Sequence, residues 1–384
     1  MNMTFKQIIL KIHLWLGMSS GIIVVILGIT GCLYSFEEEL RPVVHEYYYV
    51  DQVKDKKLPV SQLIQIAKEA NKDKPQQILS GFETYNDEQR TASVSFFEEL
   101  DKDAIWYWNN YQATEVYLDP YTGSVKKLEE SNFEFFVFVR RLHQTLCLRS
   151  DIGDPIVGTA TIIFIISLIT GLILWWPKNK SAAKQRYWFR WKDTTKWKRK
   201  NYDLHNILGF YTMLFGLIIA LTGLIWAFDC YDKGIQWALN GGKTIEREVV
   251  ESDTTHYTLV KPVDKVYNTI KQLHPKAKRY YISVPKANDS LAALFTFAGY
   301  ESSFDNVTIQ FDQHTAKTLQ TITYNDKSTG QKFRGMNYGI HVGSILGFPG
   351  KVFAFLISLV CASLPITGFY IWWGRNNKKK KTPA

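Results

Sequence analysis

Four stretches of this chain run to membrane length without a charged residue: Leu14 to Phe36, Ile156 to Trp176, Ile207 to Phe228 and Val352 to Trp373. About 20 apolar residues in a helix cross a hydrocarbon core of ~30 Å. Inside that core the backbone must satisfy its own polar groups, so each stretch reads as a helix. Basic residues gather at their ends. The segment from Lys178 to Lys200 holds ten Lys and Arg against the single acid Asp193. Lys6 and Lys11 precede the first run, and Arg375 and Lys378 to Lys381 follow the last. Positive charge marks the cytoplasmic side, so both termini and the central loop are expected there. A net charge of +10 is thereby read as membrane topology, with no nucleic-acid partner. Tyr187, Trp188, Trp191 and Trp197 within the basic loop mark the lipid interface.

The fold expected is an α-helical membrane protein, with a four-helix transmembrane bundle and two small α+β domains outside it. The first helix takes residues 1–36 and the first outer domain 37–140. An outer histidine segment and the second helix take 141–177, and the basic loop takes 178–203. The third helix takes 204–228 and the second outer domain 229–335. A second histidine segment and the fourth helix take 336–374, and a basic tail takes 375–384. In the first outer domain a helix is expected over Val60–Asn71, with strands at Ser93–Phe97, Ala104–Trp108 and Glu115–Leu118. In the second, a helix is expected over Val263–Leu273, with strands at Tyr280–Val284, Leu291–Phe297 and Val307–Phe311. Asp119 to Gly123 and Asp312 to Ala316 read as turns. Pro155 is placed to open the second helix, and Pro365 to kink the fourth. Ile29-Thr30-Gly31-Cys32 looks like a lipidation box, but cleavage there would remove a full-length span, so the helix is expected to be retained.

The two halves repeat. His13 and His205 are 192 residues apart, as are Thr30-Gly31 and Thr222-Gly223. His143 and His341 are 198 apart; Thr170-Gly171 and Thr367-Gly368 are 197 apart. The unit duplicated is helix, outer domain, helix. His13 and His205 open the first and third spans at one face, while His143 and His341 precede the second and fourth at the other. Gly209, Gly216 and Gly223 share a helical face with His205, a groove for a helix or a flat cofactor. Ionisable groups in a membrane face the bundle interior and usually have a function. Three uses remain open for two histidine pairs at two depths: haem iron held by two imidazoles, a bare transition metal, or hydrogen bonds that cap helices. His45 is a reserve ligand for the outer pair; His256, His274 and His314 are expected to be solvated. Arg140, Arg141, Arg334 and Lys351 mark the outer interface or meet an anionic ligand. Four cysteines without a Cys-x-x-Cys pair exclude a zinc signature and covalent c-type haem. No nucleotide-binding glycine motif is present.

The segments RRLHQTL, YDLHNILGFY and YGIHVGSILGFPG, the span ends TGLILWW and TGFYIWW, and the outer turns VYLDPYTGSV and IQFDQHTAKT together resemble the PepSY-associated transmembrane family. Arg149-Ser150-Asp151 stands where a glycine is common. The resemblance covers nearly the whole chain and implies PepSY-like domains outside a bacterial inner membrane. It further implies two b-type haems, one on His13 with His205 and one on His143 with His341. The expected activity is that of a transmembrane haem oxidoreductase, passing electrons outward to a periplasmic ferric siderophore and releasing its iron. The electron donor would be a quinol, a reduced flavin or a partner reductase. A non-enzymatic membrane module that docks a partner through its outer domains is the alternative.

Overall fold

The computed structural model describes residues 3–177, 179–245, 250–256, 262–285, 294–299 and 305–379. In chain order the elements are α1 (Phe5–Tyr34), α2 (Glu37–Val44), α3 (Val60–Ala70), β1 (Ile78–Tyr85), β2 (Ala92–Glu99), α4 (Tyr107–Asn110), β3 (Tyr111–Leu118), β4 (Val125–Glu130), α5 (Phe135–Thr145) and α6 (Ser150–Trp175). Then follow α7 (Lys180–Arg186), α8 (Trp197–Asp203), a π-helical turn (Leu204–Leu208), α9 (Gly209–Ala227), α10 (Asp229–Leu239), α11 (Val263–Leu273), β5 (Arg279–Ser283), β6 (Leu294–Gly299), β7 (Asn306–Phe311), β8 (Thr318–Ile322), α12 (Thr329–His341) and α13 (Gly347–Lys379). The chain divides into a helical unit (residues 1–36, 139–232 and 340–384) and a sheet unit (37–138 and 233–339).

Four helices of the first unit are long and apolar enough to cross a membrane: Phe5–Tyr34, Ser150–Trp175, Trp197–Ala227 and Ser344–Asn377. This is a multi-pass membrane protein. The helix α1 packs on α6 and α13, and α9 packs on the same two, so α1 and α9 stand diagonally opposite. Small residues bring the helices together: a Cβ on Gly28 would meet the Ala362 Cβ at 2.6 Å. The second span begins at Ser150, earlier than Pro155 implies, and Pro155 lies inside it. Pro365 lies inside a continuous α13. Basic side chains close the carbonyl ends of two spans: Lys6 Nζ donates to Trp176 O at 3.4 Å, and Lys198 Nζ to Gly374 O at 2.6 Å.

The sheet unit corrects the expectation of two separate α+β domains. It holds one antiparallel eight-stranded sheet, in the order β4-β3-β2-β1-β5-β6-β7-β8. The two halves join where β1 pairs with β5, from Gly81 opposite Ser283 to Tyr85 opposite Arg279. A four-stranded half alone would leave that edge open; pairing the copies removes both edges. It also fuses their cores. Leu63, Ile64 and Ala67 of α3 and Val266 and Ile270 of α11 pack with Phe82, Val94, Val116, Ile282, Ile309 and Phe311 of the sheet in one buried cluster. Ser61 N donates to Asp264 Oδ1 at 2.9 Å, tying α3 to α11.

Other details also depart from expectation. Ala104–Trp108 contains no strand: its end enters α4, and β3 starts at Tyr111. The strands β1, β4 and β8 are additions to the expected set; β4 and β8 carry many polar residues and little apolar alternation. Residues 291–293 of the expected strand Leu291–Phe297 lie outside the described residues, as do 380–384 of the basic tail.

Candidate functional site

Each of the four repeat-matched histidines reaches a neighbouring helix through Nδ1. For His13 the partners are Ser167 O at 3.1 Å and Thr170 Oγ1 at 3.1 Å, both on α6. For His205 they are Leu364 O at 3.1 Å and Thr367 Oγ1 at 3.0 Å on α13. For His143, on α5, they are Leu27 O and Thr30 Oγ1 on α1, both at 3.0 Å. For His341, at the end of α12, they are Thr222 Oγ1 at 2.9 Å and the Ile219 carbonyl on α9.

The chemistry of these contacts decides the tautomer. A carbonyl oxygen only accepts, so Nδ1 carries the proton in each neutral ring. The threonine hydroxyls have their own outlets one turn back. Thr170 donates to Ile166 O at 2.8 Å, Thr367 to Ser363 O at 2.9 Å, Thr30 to Ile26 O at 2.6 Å and Thr222 to Ile218 O at 2.8 Å. Each Oγ1 therefore offers the ring lone pairs. With the proton on Nδ1, Nε2 is left as a lone-pair donor, and among the described residues no hydrogen bond engages any of the four Nε2 atoms.

The glycine after each threonine makes room for the ring. A Cβ on Gly171 would stand 3.3 Å from His13 Cε1, on Gly368 3.2 Å from His205 Cε1, on Gly31 3.2 Å from His143 Cε1 and on Gly223 3.3 Å from His341 Cε1. The recurring Thr-Gly of the four spans is thus a histidine seat. Thr30-Gly31, inside the apparent lipidation box, belongs to the seat of His143.

Seated in this way, the histidines pair. The ring centres of His13 and His205 are 6.2 Å apart, with planes at 78°. Those of His143 and His341 are 6.1 Å apart, with planes at 72°. Two imidazoles on opposite sides of one metal, with bonds of about 2.0 Å, have ring centres about 6.3 Å apart. His13 and Thr30 lie 17 residues apart on α1, as do His205 and Thr222 along the third span. That is about 26 Å of helix, which puts the two pairs near opposite ends of the bundle.

Among the described residues no group of three or more His, Cys, Asp or Glu is placed to hold a metal ion. Each pair is a two-ligand set, which suits a metal whose remaining positions are filled by its own macrocycle. One turn after His13, a Cβ on Gly17 would meet nothing within 4 Å. That open approach, the unprotonated Nε2 atoms and the ring separation all fit a bis-histidine haem. The glycine face of α9 is different: its groove is filled, with Gly209 against Leu364, Gly216 against Cys361 Sγ and Gly223 against His341.

The remaining histidines lie elsewhere. His45 belongs to the sheet unit, where Nε2 meets Glu134 Oε1 at 3.4 Å and the ring stacks on Tyr47 at 5.0 Å. His314 is buried, against expectation, because it sits within the turn that Asp312 closes. His274 caps α11 and is half-buried; the His256 side chain lies outside the described ones. Lys351, expected at the interface, is buried, while Arg140, Arg141 and Arg334 are half-buried. The π-helical turn at His205 had no signal in the sequence; such turns are frequent at functional sites.

The family model for the PepSY-associated TM region matches residues 10–375. The chain belongs to that family. The match takes in both histidine pairs, the sheet unit and nearly all of the four apolar helices. No curated protein matches the chain.

Proposed function

We propose that this protein is a di-haem electron-transfer protein of a bacterial inner membrane, with both termini cytoplasmic and the sheet unit in the periplasm. His13 and His205 hold a b-type haem near the cytoplasmic face; His143 and His341 hold a second near the outer face. The observation that carries the reading is the pairing itself: four histidines locked as lone-pair donors on Nε2, set 6.2 and 6.1 Å apart by ring centre. A structural cap needs only the Nδ1 bond; it gives no reason for two such rings to face each other in a membrane.

When bound, haem supplies one-electron Fe(III)/Fe(II) chemistry, and two imidazoles leave no position for oxygen. The residues bind and orient. The seats fix ring direction, on α6 and α13 for His13 and His205 and on α1 and α9 for His143 and His341. The acceptor is an oxygen-rich ferric chelate of the siderophore class, whose hold on the metal weakens when it becomes Fe(II). The donor is a quinol, a reduced flavin or a partner reductase. The basic segment 178–200 supports a cytoplasmic central loop.

The test is haem content and electron acceptance in the purified full-length protein, expressed with ample haem. A pyridine haemochrome assay should return two acid-acetone-extractable haems per chain with low-spin spectra. After dithionite reduction, a ferric siderophore should reoxidise them faster than anaerobic buffer. Protein without haem overturns the reading and favours a docking module; haem that no ferric chelate reoxidises overturns the iron role alone. A periplasmic signal from a reporter fused after residue 190 overturns the orientation.

A further inference from the structure

Each histidine seat lies on a helix that does not carry the histidine it serves. The first span α1 carries His13 and seats His143; the third carries His205 and seats His341. The helices α6 and α13 carry no ligand of their own and seat His13 and His205. The seat is the same four times: a carbonyl three residues before the threonine, the threonine oxygen at 2.9–3.1 Å, and the following glycine against Cε1. Four occurrences with one chemistry are not explained by helix packing, which needs the glycine but not the oxygen.

We propose that Thr30, Thr170, Thr222 and Thr367 are positioning residues that set the electronic character of each iron ligand, and that they act crosswise: Thr170 and Thr367 on the haem of His13 and His205, Thr30 and Thr222 on the haem of His143 and His341. The inference rests on the haem reading. A threonine oxygen and a carbonyl sharing the Nδ1 proton draw it away from the ring and make Nε2 a stronger donor. A stronger donor favours Fe(III) over Fe(II), so the seats hold the potential down. Removing the threonine oxygen weakens this preference, and the potential of that one haem rises. The glycine acts on direction. A Cβ at 3.2–3.3 Å from Cε1 pushes the ring by a few tenths of an ångström and turns it against its partner.

The experiment is redox potentiometry with low-temperature EPR on full-length Thr170→Val, Thr170→Ser and Gly171→Ala protein, each with its haem content measured, and the same three changes at Thr30 and Gly31. Thr170→Val should retain two haems and raise the potential of the His13/His205 haem alone. Each tenfold loss of preference for Fe(III) appears as about 59 mV. Thr170→Ser should restore the potential, because it restores the oxygen. Gly171→Ala should shift the EPR signal of the same haem, which reports the angle between ring planes. The Thr30 and Gly31 set should move only the other haem. Two haems with unchanged potentials and signals in every variant overturn the inference and leave the haem reading standing. A Thr170→Val change that appears on the His143/His341 haem overturns the crosswise assignment. Wild-type protein without haem overturns both. If a valine variant fails to accumulate, 15N NMR of histidine-labelled wild-type protein reads the same point: a proton on Nδ1 supports the inference, and one on Nε2 overturns it.

Discussion

The turn after His143 and the turn after His341 carry out one task with different backbones. Both let a short histidine-bearing helix meet the span that follows. In the first copy Leu146 and Cys147 take positive φ, 55° and 62°, in succession. In the second, positive φ falls on glycines and at different places: Gly343 at 80°, in the left-handed region, and Gly347 at 68° with ψ −159°, outside it. A non-glycine residue in that region costs about 1–2 kcal/mol, so the first copy holds a strained pair that its surroundings impose. At the seats the copies agree: His143 Nδ1 lies 3.0 Å from Thr30 Oγ1, and His341 Nδ1 lies 2.9 Å from Thr222 Oγ1. The difference teaches where the constraint lies. Divergence has been tolerated in the connecting backbone and not in the seats.

The largest effect should come from the ligands. His205→Ala should remove or convert the His13/His205 haem and leave the other; His341→Ala should do the reverse, read by haemochrome and EPR. One variant that loses both haems would show that the sites are not independent. Next come Gly153 and Gly350, which are matched across the repeat. A Cβ on Gly153 would stand 2.3 Å from Thr145 O, and on Gly350 2.1 Å from Gly343 O. Backbone cannot yield as a side-chain tip can, so either Ala variant should push the histidine turn off its span. The His143/His341 haem should bind about 10–100-fold more weakly, with the other retained. Unchanged occupancy would mean that the turn does not hold the ligand.

The histidine pairs were legible in the sequence because duplication marks them twice, at offsets too regular for chance. Thr-Gly was visible as a recurrence, but its role was not. The bond from Thr170 to His13 spans 157 residues, and nothing local to either one signals it. The joining of β1 to β5 was hidden for a similar reason. Phe82 and Ile282 each alternate correctly for a small sheet, and only the fold shows that they are partners. The π-helical turn at His205 left no trace because Leu-His-Asn-Ile-Leu is ordinary helix sequence.

A moderate effect separates the sheet halves by pH. Glu115 lies opposite Ser95 and Glu129 on β3, while Thr308 stands at the matching place on β7. Burial raises the Glu115 carboxyl to about 7; Glu83 and Glu129 add to the rise, and hydrogen bonds from Ser93 and Ser95 oppose it. A carboxyl raised on folding contributes its stability in acid and loses it as pH climbs from its ordinary range through about 7. Thermal melting should therefore fall over that window. Glu115→Gln should flatten the fall, matching wild type in acid and exceeding it at pH 8. Identical pH profiles would remove Glu115 as the cause.

The smallest effect tests the closing turns. Gly123 and Ala316 are repeat partners, with φ of 76° and 58°. In each turn an aspartate closes the loop: Asp119 Oδ1 accepts from Tyr121 N at 2.8 Å, and Asp312 Oδ1 from His314 N at 3.0 Å. An exchange of residues between the turns should not be symmetric. Gly123→Ala adds a side chain in the left-handed region, a cost of about 1–2 kcal/mol, partly offset by about 0.5–1 kcal/mol of lost unfolded-state freedom. The net loss should be about 1 kcal/mol, since the crowding comes from the tips of Ile66 and Leu58, which can move. Ala316→Gly relieves the same strain but gives up a buried methyl in the core, worth about 0.8 kcal/mol, and restores freedom to the unfolded chain. Gain and loss nearly cancel, so Ala316→Gly should melt within a degree or two of wild type while Gly123→Ala melts lower. If Ala316→Gly is clearly stabilising, the methyl contact counts for little and backbone strain outweighs it in the second copy. If it destabilises as much as Gly123→Ala, packing has come to outweigh backbone conformation at the site where the copies differ by one methyl group.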